Sequence, residues 1–136
     1  MKKQILFPLF TMVLLMAAGS ANAQLGSAPA VRAKVPFDYN VGNTTIKAGN
    51  CSIRETETVD VLAIRCAGET KLALSRIVSG KPATATKLVF HKYGDQYFLA
   101  QVWLEGERTG WELSSTTENE LMSKASPDSV VILAQK

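Results

Sequence analysis

From Val31 the chain alternates. Val31, Ala33, Val35 and Phe37 fall on one side and Arg32 and Lys34 on the other, the period-two pattern of a half-buried strand. "DYNVGN" and "KAGN" follow, and their Asn, Asp and Gly predict turns, with Ile46 as the single buried residue of a short strand between them. "CSIRETETVDVLAIRC" reads as a hairpin. With Cys51 set opposite Cys66, Ile53 meets Ile64 and Glu55 meets Leu62, so one face gathers Cys51, Ile53, Leu62, Ile64 and Cys66 while the other is mainly polar. A slip of one residue would scramble that sorting. "TKLALSRIVS" predicts a further strand, in which Leu72 and Leu74 alternate with Ala73 and Ser75.

"KLVFHKYGDQYFLAQVW", residues 87–103, breaks the alternation. Gly94-Asp95 fits a two-residue type II′ turn, which sets Phe90 against Leu99 and His91 against Phe98. One face then carries Leu88, Phe90, Leu99 and Trp103, the other Val89, Phe98, Ala100 and Val102. A hairpin apolar on both faces is expected to be central and covered twice. Ser115-Thr-Thr-Glu118 is a capping-box signature for a helix through about Lys124, with Leu121 and Met122 as its anchors. So short a helix covers part of one face, which leaves the rest to the C-terminal strand region, the N-terminal arm or a second molecule. Val130 to Leu133 predict the last strand. The expected fold is all-β, an antiparallel sandwich or small barrel of about 7–8 strands with one short C-terminal helix.

The first 30 residues are different. Met1-Lys2-Lys3, an apolar stretch from Ile5 to Ala18 and Ala21-Asn22-Ala23 ahead of Gln24 predict a secretory signal peptide over 1–23. A membrane anchor is the competing reading, but the stretch is shorter than the roughly 20 residues that cross a bilayer, and Pro8 and Thr11 interrupt it. Residues 24–30, small and uncommitted, predict a flexible arm, and 31–136 a single β domain. Export places the product in the periplasm or outside the cell, without a transmembrane anchor. Cleavage also takes Lys2 and Lys3 from the 15 basic residues, leaving 13 against 12 acidic ones and a net charge near +1. With no Lys/Arg run, the sequence gives no support to nucleic-acid or anionic-membrane binding. The two cysteines, Cys51 and Cys66, are expected to pair in an oxidising compartment, with two buried thiols as the alternative. They make a poor metal site without companion histidines, and no metal or cofactor is expected.

Catalytic chemistry finds little purchase. His91 is the one histidine, hence the sole candidate for a neutral-pH base, and mid-hairpin it reads more simply as a packing or rim residue. Glu105 and Glu107 could pair as acid and base but sit in turn-rich "EGERTG", where solvated charges are the simpler reading. Ser75, Ser114 and Ser115 lack a nucleophile-elbow context. An enzyme is therefore disfavoured. Tyr93, Tyr97, Trp103 and Trp111 are the candidate surface: exposed, they would form a platform for a sugar ring or small apolar ligand, and buried, they are core.

"VPFDYNVGNTTIKAG" (35–49), the 87–103 hairpin and "GWEL" (110–113) resemble a group of small exported proteins common in acidobacterial genomes, which share a VPFDF-type opening, a VGN...AG turn and a KLVFH-YGD-YFL-VW hairpin. The resemblance spans most of the chain after residue 23. It implies a β fold and an exported location, and it implies no catalytic residues. Cys51 stands where that group usually has an aromatic residue and Trp111 where Arg is common, so no group role transfers to those positions. Three function classes follow: a noncatalytic exported structural or interaction protein, self-assembling or binding a cell-surface partner through its N-terminal arm or a sheet edge; a lipocalin-like carrier of a small ligand; and, least favoured, an enzyme.

Overall fold

A computed structural model describes residues 30–136, so the reading for the signal peptide over 1–23 and, except for Ala30, that for the arm over 24–30 lie outside the described residues. Ten strands and one helix follow in order: β1 (Val31–Val35), β2 (Tyr39–Val41), β3 (Thr44–Ile46), β4 (Gly49–Glu55), β5 (Val61–Cys66), β6 (Glu69–Ser79), β7 (Lys87–Tyr93), β8 (Gln96–Trp103), β9 (Thr109–Leu113), α1 (Thr116–Met122) and β10 (Asp128–Leu133). They form one sheet, ordered β1-β4-β5-β6-β9-β8-β2-β3, with β7 pairing both β8 and β10. All pairings are antiparallel except a single parallel contact, Asn40 with Phe98, between β2 and β8. The sheet curls until its two sides meet at one bridge, where Arg32 and Gln135 exchange backbone hydrogen bonds of 2.7 and 2.8 Å. No continuous ladder closes it there. The fold is all-β with one short helix near the C-terminus.

The β4–β5 hairpin has the expected register, Cys51 opposite Cys66, Ile53 opposite Ile64 and Glu55 opposite Leu62, and the cysteines form a disulfide. All five apolar residues of its inner face are buried. The sequence missed β2. Tyr39 and Val41, read as part of a turn, are core residues, because "DYNVGN" holds a whole short strand before its Gly42-Asn43 turn.

The β7–β8 hairpin turns at Gly94 with positive φ and pairs Phe90 with Leu99 and His91 with Phe98, as expected. Beyond that point Val89 pairs with Gln101, so Ala100 is an inserted residue, a β-bulge. One extra residue reverses every later side chain. Val102 therefore joins Leu88, Phe90 and Leu99 in the core, and Trp103 moves to the outer face with Gln101, the reverse of the uniform-register expectation. Trp103 packs there against Gly110, where an added Cβ would come within 2.7 Å of the indole. On the outer face Phe98 and Ala100 remain, both buried, so the second cover is supplied within the chain.

That cover includes α1, held by a different residue than expected. Met122 is exposed and Leu121 only half-buried; the buried residue of the helix is Glu118. A seven-residue helix lying on one face can bury little more than the turn that touches the sheet.

Candidate functional site

Inside the sheet, Tyr39 stands over the disulfide. Its hydroxyl lies 3.3 Å from Cys51 Sγ and 3.2 Å from Cys66 Sγ, and it is the donor, since a disulfide carries no hydrogen. Burial pushes the phenol well above its ordinary pKa and keeps that proton in place. Phe90 meets both Tyr39 and Phe37 edge-on, with ring centroids 5.1 and 5.0 Å away. The interior is thus filled by side chains around one polar point.

The four aromatic residues of the candidate surface are not brought together. Tyr93 is buried on the outer face. Tyr97 stacks on Phe37 at 3.8 Å, with the Lys92 ammonium 5.5 Å from its ring. Trp103 is outside, against Gly110, while Trp111 pairs with Val102 and lines a small pocket beside Ile77 and the 55–61 loop. Two lie on each side of the sheet. Glu105 and Glu107, whose reading as an acid/base pair needs a shared strand, sit in the exposed turn after β8.

A polar groove of about 520 Å³ opens on the outer face between β7, β8, β9 and α1. Ser115 caps the helix by accepting from the Glu118 backbone N–H at 3.0 Å. In a full capping box the Glu118 carboxylate would return to the cap. Here it turns to the sheet instead: His91 Nδ1–H donates to Glu118 Oε1 at 2.6 Å and the Tyr93 hydroxyl donates to the same oxygen at 3.4 Å. Tyr93's pKa is raised, first by burial and then by the Glu118 charge and hydrogen bond. Beside them a relay crosses the strands, from Trp103 Nε1–H to Gln101 Oε1 at 3.0 Å, from Gln101 Nε2 to Glu112 at 3.4 Å, and from Arg76 Nε–H to Glu112 at 3.1 Å.

A histidine held by a buried carboxylate is the orienting half of a catalytic dyad. Among the described residues no serine, threonine or cysteine side chain hydrogen-bonds to His91, and no group of three His, Cys, Asp or Glu could hold a metal ion. Ser114 is exposed in the groove, Ser115 is spent on the cap, and the Ser75 hydroxyl is buried without a partner elsewhere. The pair's visible work is to tie the helix to the hairpin. Glu118→Ala leaves His91 and Tyr93 without their acceptor, so a loss of about 1–3 kcal/mol is expected in thermal denaturation. A variant as stable as the wild type would show that the helix is held by other means.

The outer face of β6 carries an apolar pair between Thr70 and Arg76. Leu72 and Leu74 are 69% and 76% exposed, side by side along the strand. Ala73 between them takes the core position. β5 pairs with β6 over residues 69–74 and β9 over 75–79, so from 69 to 74 the β9 side of the strand carries no ladder. Among the described residues no helix is long and apolar enough to cross a membrane. Comparison with protein-family models, with curated proteins and with solved structures found no match.

Proposed function

We propose that this is a noncatalytic exported interaction protein that associates with further copies of itself through β6. The observation that carries the reading is the pair of exposed leucines, Leu72 and Leu74, on a strand whose neighbouring edge is unpaired. Strand edges of that kind accept another strand, and side chains on alternate positions then give the pairing its specificity. In a two-fold antiparallel pairing centred on Ala73, Leu72 of one copy lies opposite Leu74 of the next. The four leucines then form two cross-strand contacts on one face, each worth about 0.2–1 kcal/mol beyond Ala–Ala. Export is supported by the basic and then apolar N-terminal pattern ending in Ala21-Asn22-Ala23 and by the Cys51–Cys66 disulfide.

The carrier reading is less well supported. A carrier of this shape needs space between its strands, and here Tyr39, Phe90, Leu99, Val102 and Ile64 occupy it. Molar mass measured by light scattering over a concentration series tests the association. The expected result is a rise toward dimer or larger for the wild type, and a particle that stays monomeric, with unchanged melting temperature, for Leu74→Lys. A wild type that is monomeric at every concentration would sink the proposal, as would a Leu74→Lys protein that assembles like the wild type.

A further inference from the structure

Charge that is evenly mixed along the sequence is sorted by the strand register. On the outer face of β1, β4 and β5, Arg32 sits opposite Ser52, Ser52 opposite Arg65, and Lys34 opposite Asn50, while Gln135 flanks Arg32 across the bridge. These side chains line a shallow groove of about 640 Å³ that contains no carboxylate. Arg54 lies two residues beyond Ser52 on the same face and is exposed. Among the described residues, none of Arg32, Lys34, Arg54 and Arg65 forms an ion pair, although the chain beyond residue 23 has nearly as many acids as bases.

We propose that this groove binds an acidic oligosaccharide, a run of sugars carrying carboxylate or sulfate groups. Two strand spacings separate Arg32 from Arg65, about 10 Å, and two residues along β1 separate Arg32 from Lys34, about 7 Å. Cations at such intervals meet a ligand whose acidic groups recur along a chain. Between them Asn50, Ser52 and Gln135 offer amides and a hydroxyl, which suit the sugar hydroxyls between charges. Arginine adds forked donors to a carboxylate or sulfate. A single-stranded nucleic acid would want aromatic side chains to stack on, and the groove lining has none. An anionic bilayer would meet a flat face with several apolar side chains, whereas here Leu133 is the one large aliphatic residue in a polar concave lining. The site shares no residue with β6, so it stands or falls apart from self-association.

Titration calorimetry on the disulfide-bonded protein, at low salt, tests this with size-defined heparin and polygalacturonate oligosaccharides. Neutral dextran, duplex DNA and phosphatidylglycerol vesicles are the comparators. The expected result is binding to at least one acidic glycan, none to dextran, and weakening as salt screens the exposed cations. Arg65→Glu and Arg32→Ser should each lower the association constant about tenfold or more, roughly 1.4 kcal/mol, at unchanged melting temperature. Lys124→Ser, at an exposed site beyond α1, should leave it unchanged. Absence of binding to both glycans, tighter binding to DNA or vesicles, or equal losses in Lys124→Ser would each overturn the proposal.

Discussion

Phe98→Asp is expected to leave the protein largely unfolded at room temperature. Phe98 is 2% exposed, on the outer face of β8, in edge-on contact with Tyr93 at 5.8 Å. Tyr93 is tied through its hydroxyl to Glu118 of α1, and the helix is joined in turn to the β2–β3 turn by the bond from Thr117 Oγ1 to Asn43 Oδ1 at 3.3 Å. Losing the buried ring alone costs about 3–5 kcal/mol. An aspartate carboxylate in its place adds the cost of an unpaired buried charge. A domain of this size has about 5–15 kcal/mol in total, so most or all of it is lost. Phe98→Leu, which keeps most of the volume, should cost less than about 1.5 kcal/mol. Circular dichroism with light scattering separates the alternatives: a Phe98→Asp protein that melts like the wild type would place the ring in solvent, and a folded but lighter particle would show that another copy supplies the cover.

The second large effect is at the disulfide. Cys51 and Cys66 are 15 residues apart, and a loop of that length is worth about 3 kcal/mol in the chain-entropy picture. The Cys51→Ala/Cys66→Ala protein should therefore melt on the order of 10 °C or more below the wild type. Part of its loss has a distinct source. With both sulfurs gone the Tyr39 hydroxyl stays buried with no acceptor, at a further cost of about 1–3 kcal/mol. A double-mutant cycle isolates that term. Tyr39→Phe should change little while the disulfide is present and should recover stability in the alanine background. Equal effects of Tyr39→Phe in both backgrounds would show that the hydroxyl is not spent on the sulfurs.

Much of the fold is written in local patterns. The alternation of Val31, Ala33 and Val35, the sorting of the β4–β5 hairpin, the Gly94 turn and the Ser115 cap each depend on near neighbours in sequence, and each appears where the residues place it, although β1 ends before Phe37. Beyond this the patterns were silent or misleading for stated reasons. A bulge at Ala100 leaves no local mark, yet it exchanges Val102 and Trp103 between faces. The β6 strand offers two alternating sets, and the register with β5, which sets Ala73 opposite the buried Leu62, turns the smaller set inward. Glu118 carries a cap signature, but its acceptor role toward His91 and Tyr93 joins residues 25 and 27 positions apart.

The same division holds for the candidate surfaces. The N-terminal pattern, the two cysteines and the lone histidine are properties of composition and order, and the sequence by itself determined what they exclude: a multi-histidine metal site and a short redox Cys pair. Whether aromatic residues form a platform, leucines lie outside, or cations gather depends on which strands are neighbours. Tyr93, Tyr97, Trp103 and Trp111 are close in sequence but are divided between two sides by strand parity and the bulge. Arg65 is distant in sequence from Arg32 and Lys34, and the three line one groove because β4 lies between β1 and β5. A strand's own alternation is set by its backbone period and can be read along the chain, whereas a surface is set by register across strands, which exists only once distant segments have paired.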